Sequence, residues 1–168
     1  MVTPMKADGA VDFEAAQKLA KQLVADGADG LVVNGTTGES PTTHMEEKVE
    51  LVQAVKEVVD VPVISGAGSN DTAHTVRMVE QTQEAGADAV LVVAPYYSRP
   101  SQEGVFRHYK AVNDSADKRL SFTMCLAVPV CTFSWKPTVV WLNLIMSRRS
   151  RTLPEISRVP CVSVWKPV

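Results

Sequence analysis

The sequence predicts an α/β fold, the amino-terminal part of a parallel (β/α)8 barrel holding about four βα units, and three features carry that prediction. Up to about residue 118, short runs of branched aliphatic residues alternate with longer segments of helical periodicity. One unit repeats: Gly27-Ala28-Asp29-Gly30-Leu31-Val32-Val33 returns as Gly86-Ala87-Asp88-Ala89-Val90-Leu91-Val92, which implies repeated right-handed crossovers and a parallel sheet. No G-x-G-x-x-G follows the first strand, and the turns after the second and fourth strands both carry chemistry-bearing residues. A site spread over several strand ends favours a barrel over a doubly wound sheet.

The elements follow in order. Met1-Val2-Thr3-Pro4 reads as the tail end of a first strand, too short to stand alone, so the start of the barrel is expected to be clipped. Asp12 caps a helix over residues 13–26, with Phe13, Ala16, Leu19, Ala20, Leu23 and Val24 at helical spacing and Gly27 as its stop. Leu31-Val32-Val33 is a strand buried on both faces. Glu39 and Ser40, followed by Pro41, lead into the second helix, which Thr42 or Thr43 caps and Val49, Leu51, Val52, Val55 and Val58 line. Val61–Ser65 is the third strand, ending in Gly66-Ala67-Gly68. Asp71 or Thr72 opens a third helix that Gly86 closes, Ala89–Val93 is the fourth strand, and a fourth helix runs over about residues 102–115.

Composition adds a division. The 168 residues are 45% apolar and 21% charged, globular values with no bulk signature of membrane or nucleic-acid binding. The net charge of −2 conceals an asymmetry: residues 119–168 hold one acid, Glu155, and seven bases, against 18 acids and 10 bases before them. All nine glycines lie in the first part, whereas Cys125, Cys131, Cys161, Trp135, Trp141 and Trp165 lie in the second. The cysteines form neither a paired framework nor a CxxC pattern. With no secretory leader or long apolar span, a reducing cytoplasm is expected. His44, His74 and His108 lack metal-ligand spacing and are expected on solvated helix faces; no metal is predicted.

Gly35-Thr36-Thr37-Gly38 is the turn on which the chain is organised. Two glycines permit close backbone approach to a ligand, and adjacent threonines offer hydroxyls and N–H groups to a carboxylate. The competing reading is a glycine-rich turn whose threonines cap the next helix.

Four motifs in order, Met1-Val2-Thr3-Pro4, Gly35-Thr36-Thr37-Gly38-Glu39-Ser40, Gly66-Ala67-Gly68-Ser69-Asn70 and Pro95-Tyr96-Tyr97-Ser98-Arg99-Pro100-Ser101-Gln102-Glu103-Gly104, resemble the dihydrodipicolinate synthases, within the pyruvate-dependent lyase superfamily that includes N-acetylneuraminate lyase. The resemblance covers residues 1–118 and implies a TIM barrel, a lyase of lysine biosynthesis that condenses pyruvate with aspartate 4-semialdehyde. It uses a lysine Schiff base on the sixth strand and no other cofactor, and the assembly implied is a homotetramer, a dimer of dimers. Carried over by position, Thr36 is a proton-relay hydroxyl, Thr37 binds the pyruvate carboxylate and Tyr97 is the relay tyrosine that reaches a neighbouring subunit's site. Tyr96 packs at the dimer interface and Asn70 lines the inter-subunit cleft. Hydroxyl chains suit this chemistry, because Schiff-base formation and enamine attack need proton transfers without a buried charge. The alternatives are another pyruvate-dependent aldolase of the N-acetylneuraminate lyase kind and a non-catalytic partner subunit.

After Lys118 the pattern breaks. The family continues Leu-Tyr-Asn-Val-Pro-Gly-Arg-Thr-Gly, whereas this chain has Leu120-Ser121-Phe122-Thr123-Met124-Cys125-Leu126-Ala127-Val128-Pro129-Val130. Legal codons for those residues, read one base out of register, spell Ile-Leu-Tyr-Asn-Val-Pro-Gly-Arg-Thr-Gly. The valine is forced, because Met124 is ATG and every cysteine codon begins TG. Residues 1–118 are therefore expected to form a partial synthase domain and residues 119–168 a non-homologous, frameshifted tail. The Schiff-base lysine is then missing, since Lys136 and Lys166 each precede a proline outside any strand pattern, and the chain is expected to be inactive. Four strands of eight would also leave open sheet edges and an uncovered inner layer.

Overall fold

A computed structural model of the chain describes residues 1–116 in full and residues 119–123 by their backbone. Its sheet has four parallel strands in sequence order, β1 (Leu31–Val33), β2 (Val63–Gly66), β3 (Ala89–Val93) and β4 (Arg119–Thr123). Leu31 stands opposite Val63, Ile64 opposite Ala89, and Ala89 opposite Arg119. Four helices alternate with the strands: α1 (Phe13–Ala25), α2 (Met45–Lys56), α3 (Thr72–Glu84) and α4 (Gln102–Ser115). Each packs on the next along the outside of the sheet. The architecture is the βα-repeat portion of a barrel, as the repeated helix-glycine-strand unit predicts.

Pleating explains where the core sits. Leu31, Val33, Val63, Val90 and Val92 alternate along the strands with residues of the opposite face and are buried beneath the helices. Ala16 and Ala20 of α1 and Leu51, Val52 and Val55 of α2 cover β1 and β2, while Met78, Val79, Val105, Tyr109 and Val112 cover β3. A fully buried valine contributes roughly 1.5–3 kcal/mol, so this outer layer supplies most of the cohesion. The opposite face, with Val32, Ile64, Leu91 and Val93, is half-buried.

Local chemistry sets the helix ends. Asp12 caps α1 through a bond from the Ala15 N–H (3.0 Å), Asp71 caps α3 through His74 (3.0 Å), and Ser101 caps α4 through Gly104 (3.1 Å). Gly27 and Gly86 follow α1 and α3 at φ 101°, a left-handed conformation that glycine adopts without strain. The bonds Ala28 N–H to Leu23 O (3.0 Å) and Ala87 N–H to Thr82 O (3.1 Å) close both helices in the same way, so the sequence repeat is a structural one.

Several expectations need correction. Residues 1–4 form no strand: the amino group of Met1 donates to Val32 O (2.6 Å), and the only bridge nearby is antiparallel, Met5 with Val11. Pro4 has no N–H to contribute to a ladder. The second helix starts later than expected, because the stretch before it is taken up by two 3₁₀ turns, Thr36–Gly38 and Ser40–Thr42. Thr42 and Thr43 hydroxyls donate back to Glu39 O (2.8 Å) and Ser40 O (3.1 Å) and cap nothing. His44 precedes α2, and its N–H is taken by the Glu47 carboxylate (2.8 Å). His108 is buried at 3% exposure, not solvated, because it stands beside Val105, Tyr109 and Val112 on the stripe that faces α3. Arg119–Thr123, beyond the expected break, pairs along the whole of β3 and supplies the fourth strand in place of residues 1–4, so that β1 and β4 are the edges of the described sheet. Leu120 and Phe122 alternate with polar residues there, which is strand patterning whatever its origin. The cysteines, the tryptophans, Lys136 and Lys166 lie outside the described residues.

Candidate functional site

Because the strands are parallel, the loops after β1, β2 and β3 share one rim of the sheet. That rim carries all five residues singled out from the sequence: Thr36 and Thr37 after β1, Asn70 after β2, and Tyr96 and Tyr97 after β3. All five are exposed, Tyr96 at 46% and Tyr97 at 90%. Among the described residues no hydrogen bond joins any two of them. The hydroxyls of Thr36 and Thr37 are uncommitted there, which removes the helix-cap reading of this turn. Thr36 and Tyr97 are separated by the intervening β2, about 10 Å of sheet.

The rim is strained in the way functional loops are. Among the described residues, Asn34 and Glu39 (φ 55° each), Tyr97 (70°) and Arg99 (47°) are the non-glycine residues at positive φ, and all lie in the loops after β1 and β3. Neighbouring loops nest closely. A Cβ on Gly66 would stand 2.1 Å from Asn34 O, and one on Gly68 would stand 2.4 Å from the Val93 N. Only glycine at those two positions lets the chain after β2 pass between its neighbours.

Beneath the threonine turn lies a polar anchor that sequence reasoning missed. Asn34 is 3% exposed, and its side-chain amide donates to Ser65 Oγ in β2 (3.1 Å) and to the Lys48 carbonyl in α2 (3.1 Å). The turn is thereby tied to both elements that flank it, and Thr3 Oγ1 adds a bond to Gly38 O (2.7 Å). Lys48 is itself buried at 6% exposure, its ammonium donating to the Thr43 carbonyl. Burial lowers its pKa, and the neighbouring Glu47 carboxylate opposes that shift. The Glu47 carboxyl is lowered chiefly by the bond from the His44 N–H. A signal for Lys48 was available: positions 48, 51, 52 and 55 fall on one helical stripe, and the other three are apolar.

Among the described residues no group of three or more His, Cys, Asp or Glu could hold a metal ion, and no helix is long and apolar enough to cross a membrane.

The family model described as "Dihydrodipicolinate synthetase family" matches residues 1–124. A 4-hydroxy-tetrahydrodipicolinate synthase from Bifidobacterium animalis subsp. lactis is 86% identical over 118 residues, covering 70% of this chain and 39% of its own length. One from Bifidobacterium longum is 87% identical with the same coverage. A crystal structure of dihydrodipicolinate synthase from Bacillus anthracis aligns with a TM-score of 0.70 at 47% identity, over 73% of this chain and 42% of that one. This chain thus spans about two fifths of the length of the relatives it matches.

Proposed function

This chain belongs to the dihydrodipicolinate synthetase family, and on that premise we propose that its gene derives from a 4-hydroxy-tetrahydrodipicolinate synthase. Such an enzyme condenses pyruvate with aspartate 4-semialdehyde through a lysine Schiff base in cytoplasmic lysine biosynthesis. The observation that carries the reading is the shared rim, where the uncommitted threonine hydroxyls and the projecting Tyr97 phenol stand on one end of a parallel sheet.

In this reading Thr37 gives a hydroxyl and an N–H to the pyruvate carboxylate, and Thr36 and a neighbouring subunit's Tyr97 pass protons to and from the forming imine. The 90% exposure of Tyr97 supports a phenol used in another subunit's site, and that of Tyr96 supports packing at the same interface, in a dimer of dimers. Asn70 lines the cleft between subunits.

We place the end of the synthase-like part at about Lys118 and read residues 119–168 as out of frame, which leaves this chain without the Schiff-base lysine and without condensing activity. The test is to sequence the gene around the codons for Lys118 to Phe122, restore the frame, and treat the product with pyruvate and borohydride. A covalent lysine adduct is expected. Absence of an adduct would count decisively against the assignment, and consumption of a different aldehyde would move it to the N-acetylneuraminate lyase side of the superfamily.

A further inference from the structure

His108 is the buried titratable group that this reading does not use. It is 3% exposed on the face of α4 that packs against α3, and its Nδ1 lies 2.9 Å from Thr72 Oγ1 in the first turn of α3. The Tyr109 ring stands edge-on at 5.4 Å. Its other ring nitrogen, Nε2, is buried and has no hydrogen-bond partner among the described residues. A neutral imidazole satisfies one nitrogen at Thr72 and leaves the other idle. An imidazolium would need two acceptors and would bring a charge into an apolar layer formed by Val105, Val112, Met78 and Val79. The charged group that acts on it is Asp71, the cap of α3, whose carboxylate is exposed and already accepts from the His74 N–H. Thr72 and Tyr109 are neutral.

We propose that the α3–α4 contact is a pH-sensitive latch, closed while His108 is neutral and opened by its protonation, and that opening frees the Tyr96–Tyr97 loop. The coupling is geometric. That loop ends in Ser101, whose hydroxyl caps α4, so the first turn of α4 holds the far end of a segment kept at positive φ at Tyr97 and Arg99. When α4 leaves α3 the segment loses its anchor.

The sign follows from linkage. Burial lowers the pKa of His108 in the closed form, against a weaker opposing effect of Asp71. The opened form takes up its proton near the ordinary histidine value of about 6.5, so the closed form loses stability as pH falls through that value and the loss levels off below its own lowered pKa. The consequence for catalysis rests on the proposed role of Tyr97; the latch itself does not.

The test uses the whole chain and no activity readout. Imidazole titration of His108 by NMR is combined with amide hydrogen exchange between pH 7.5 and 5.0, corrected for intrinsic rates. His108 is expected to titrate below the ordinary histidine value of about 6.5. Protection of the Val105–Val112 amides and of the 95–101 loop is expected to fall together, by up to tenfold per pH unit below about 6.5. His108→Asn, which keeps a polar group near the Nδ1 position and cannot titrate, should abolish that fall. Titration of His108 at or above the ordinary value of about 6.5, exchange in α4 indifferent to pH, or an unchanged fall in His108→Asn would each overturn the proposal. If the variant fails to fold, the titration of the unmodified chain decides.

Discussion

Asn34 and Ser65 are bonded side chain to side chain across 3.1 Å from adjacent strand ends, and the same Asn34 amide reaches the Lys48 carbonyl. One residue in the left-handed conformation thus ties β1, β2 and α2 together directly under the Thr36–Thr37 turn. Asn34→Ala loses both bonds and places an alanine at φ 55°, and is expected to cost about 2–4 kcal/mol. Asn34→Gly keeps the conformation and loses only the bonds, so it should cost less. Equal denaturation midpoints for the two variants would show that the backbone conformation contributes nothing.

Gly66→Ala should be more disruptive than an alanine at Gly35. The new Cβ would meet the Asn34 backbone at 2.1 Å in the first case and a Val32 methyl at 3.8 Å in the second. A backbone oxygen cannot rotate aside as a side-chain end can, so the turn after β1 must move. Amide exchange across residues 34–38 is the measurement; protection unchanged in Gly66→Ala would show that the loops are not nested as described.

In the frame-restored enzyme, Thr36→Val and Tyr97→Phe should each lower kcat by about a hundredfold or more, since acid–base relays contribute about 10²–10⁴ in rate. Thr37→Val should also raise the KM for pyruvate. Thr36→Val within a factor of about two of the parent would remove the relay role.

Lys48 yields a prediction of alkaline behaviour. Its folded-state pKa is lowered, so the unfolded chain holds the proton over a range in which the folded chain has released it. Stability should therefore rise as pH climbs from the lowered value to the ordinary one of about 10.4. Lys48→Met removes that component, so the parent's urea midpoint should rise relative to the variant's between about pH 8 and 10.5. A constant difference would mean that the amine is not desolvated.

What the sequence disclosed was set by distance along the chain. The Asp12 and Asp71 caps and the Gly27 and Gly86 stops act within a few residues of where they sit, and each is found where its pattern predicts. The rim positions of Thr36, Thr37, Asn70, Tyr96 and Tyr97 followed because a parallel sheet puts all of its βα loops at one end. The Asn34 anchor joins residues 14 and 31 positions apart, and no local pattern announces it. His108 was misplaced because histidine is polar by composition, while its burial is decided by the Val105–Tyr109–Val112 stripe around it. The threonine cap of α2 failed because Pro41, at the start of a 3₁₀ turn, diverts both hydroxyls backwards.

The pairing of Arg119–Thr123 with β3 uses N–H and C=O groups that every residue but proline supplies. A ladder of this kind is indifferent to the frame in which its codons are read. Departure from a family's spelling and departure from its backbone are separate events, since the ladder is made by the main chain and not by the side chains. On the out-of-frame reading proposed above, a gene that slips by one base at a strand still extends the sheet there while it loses the side chains needed for chemistry.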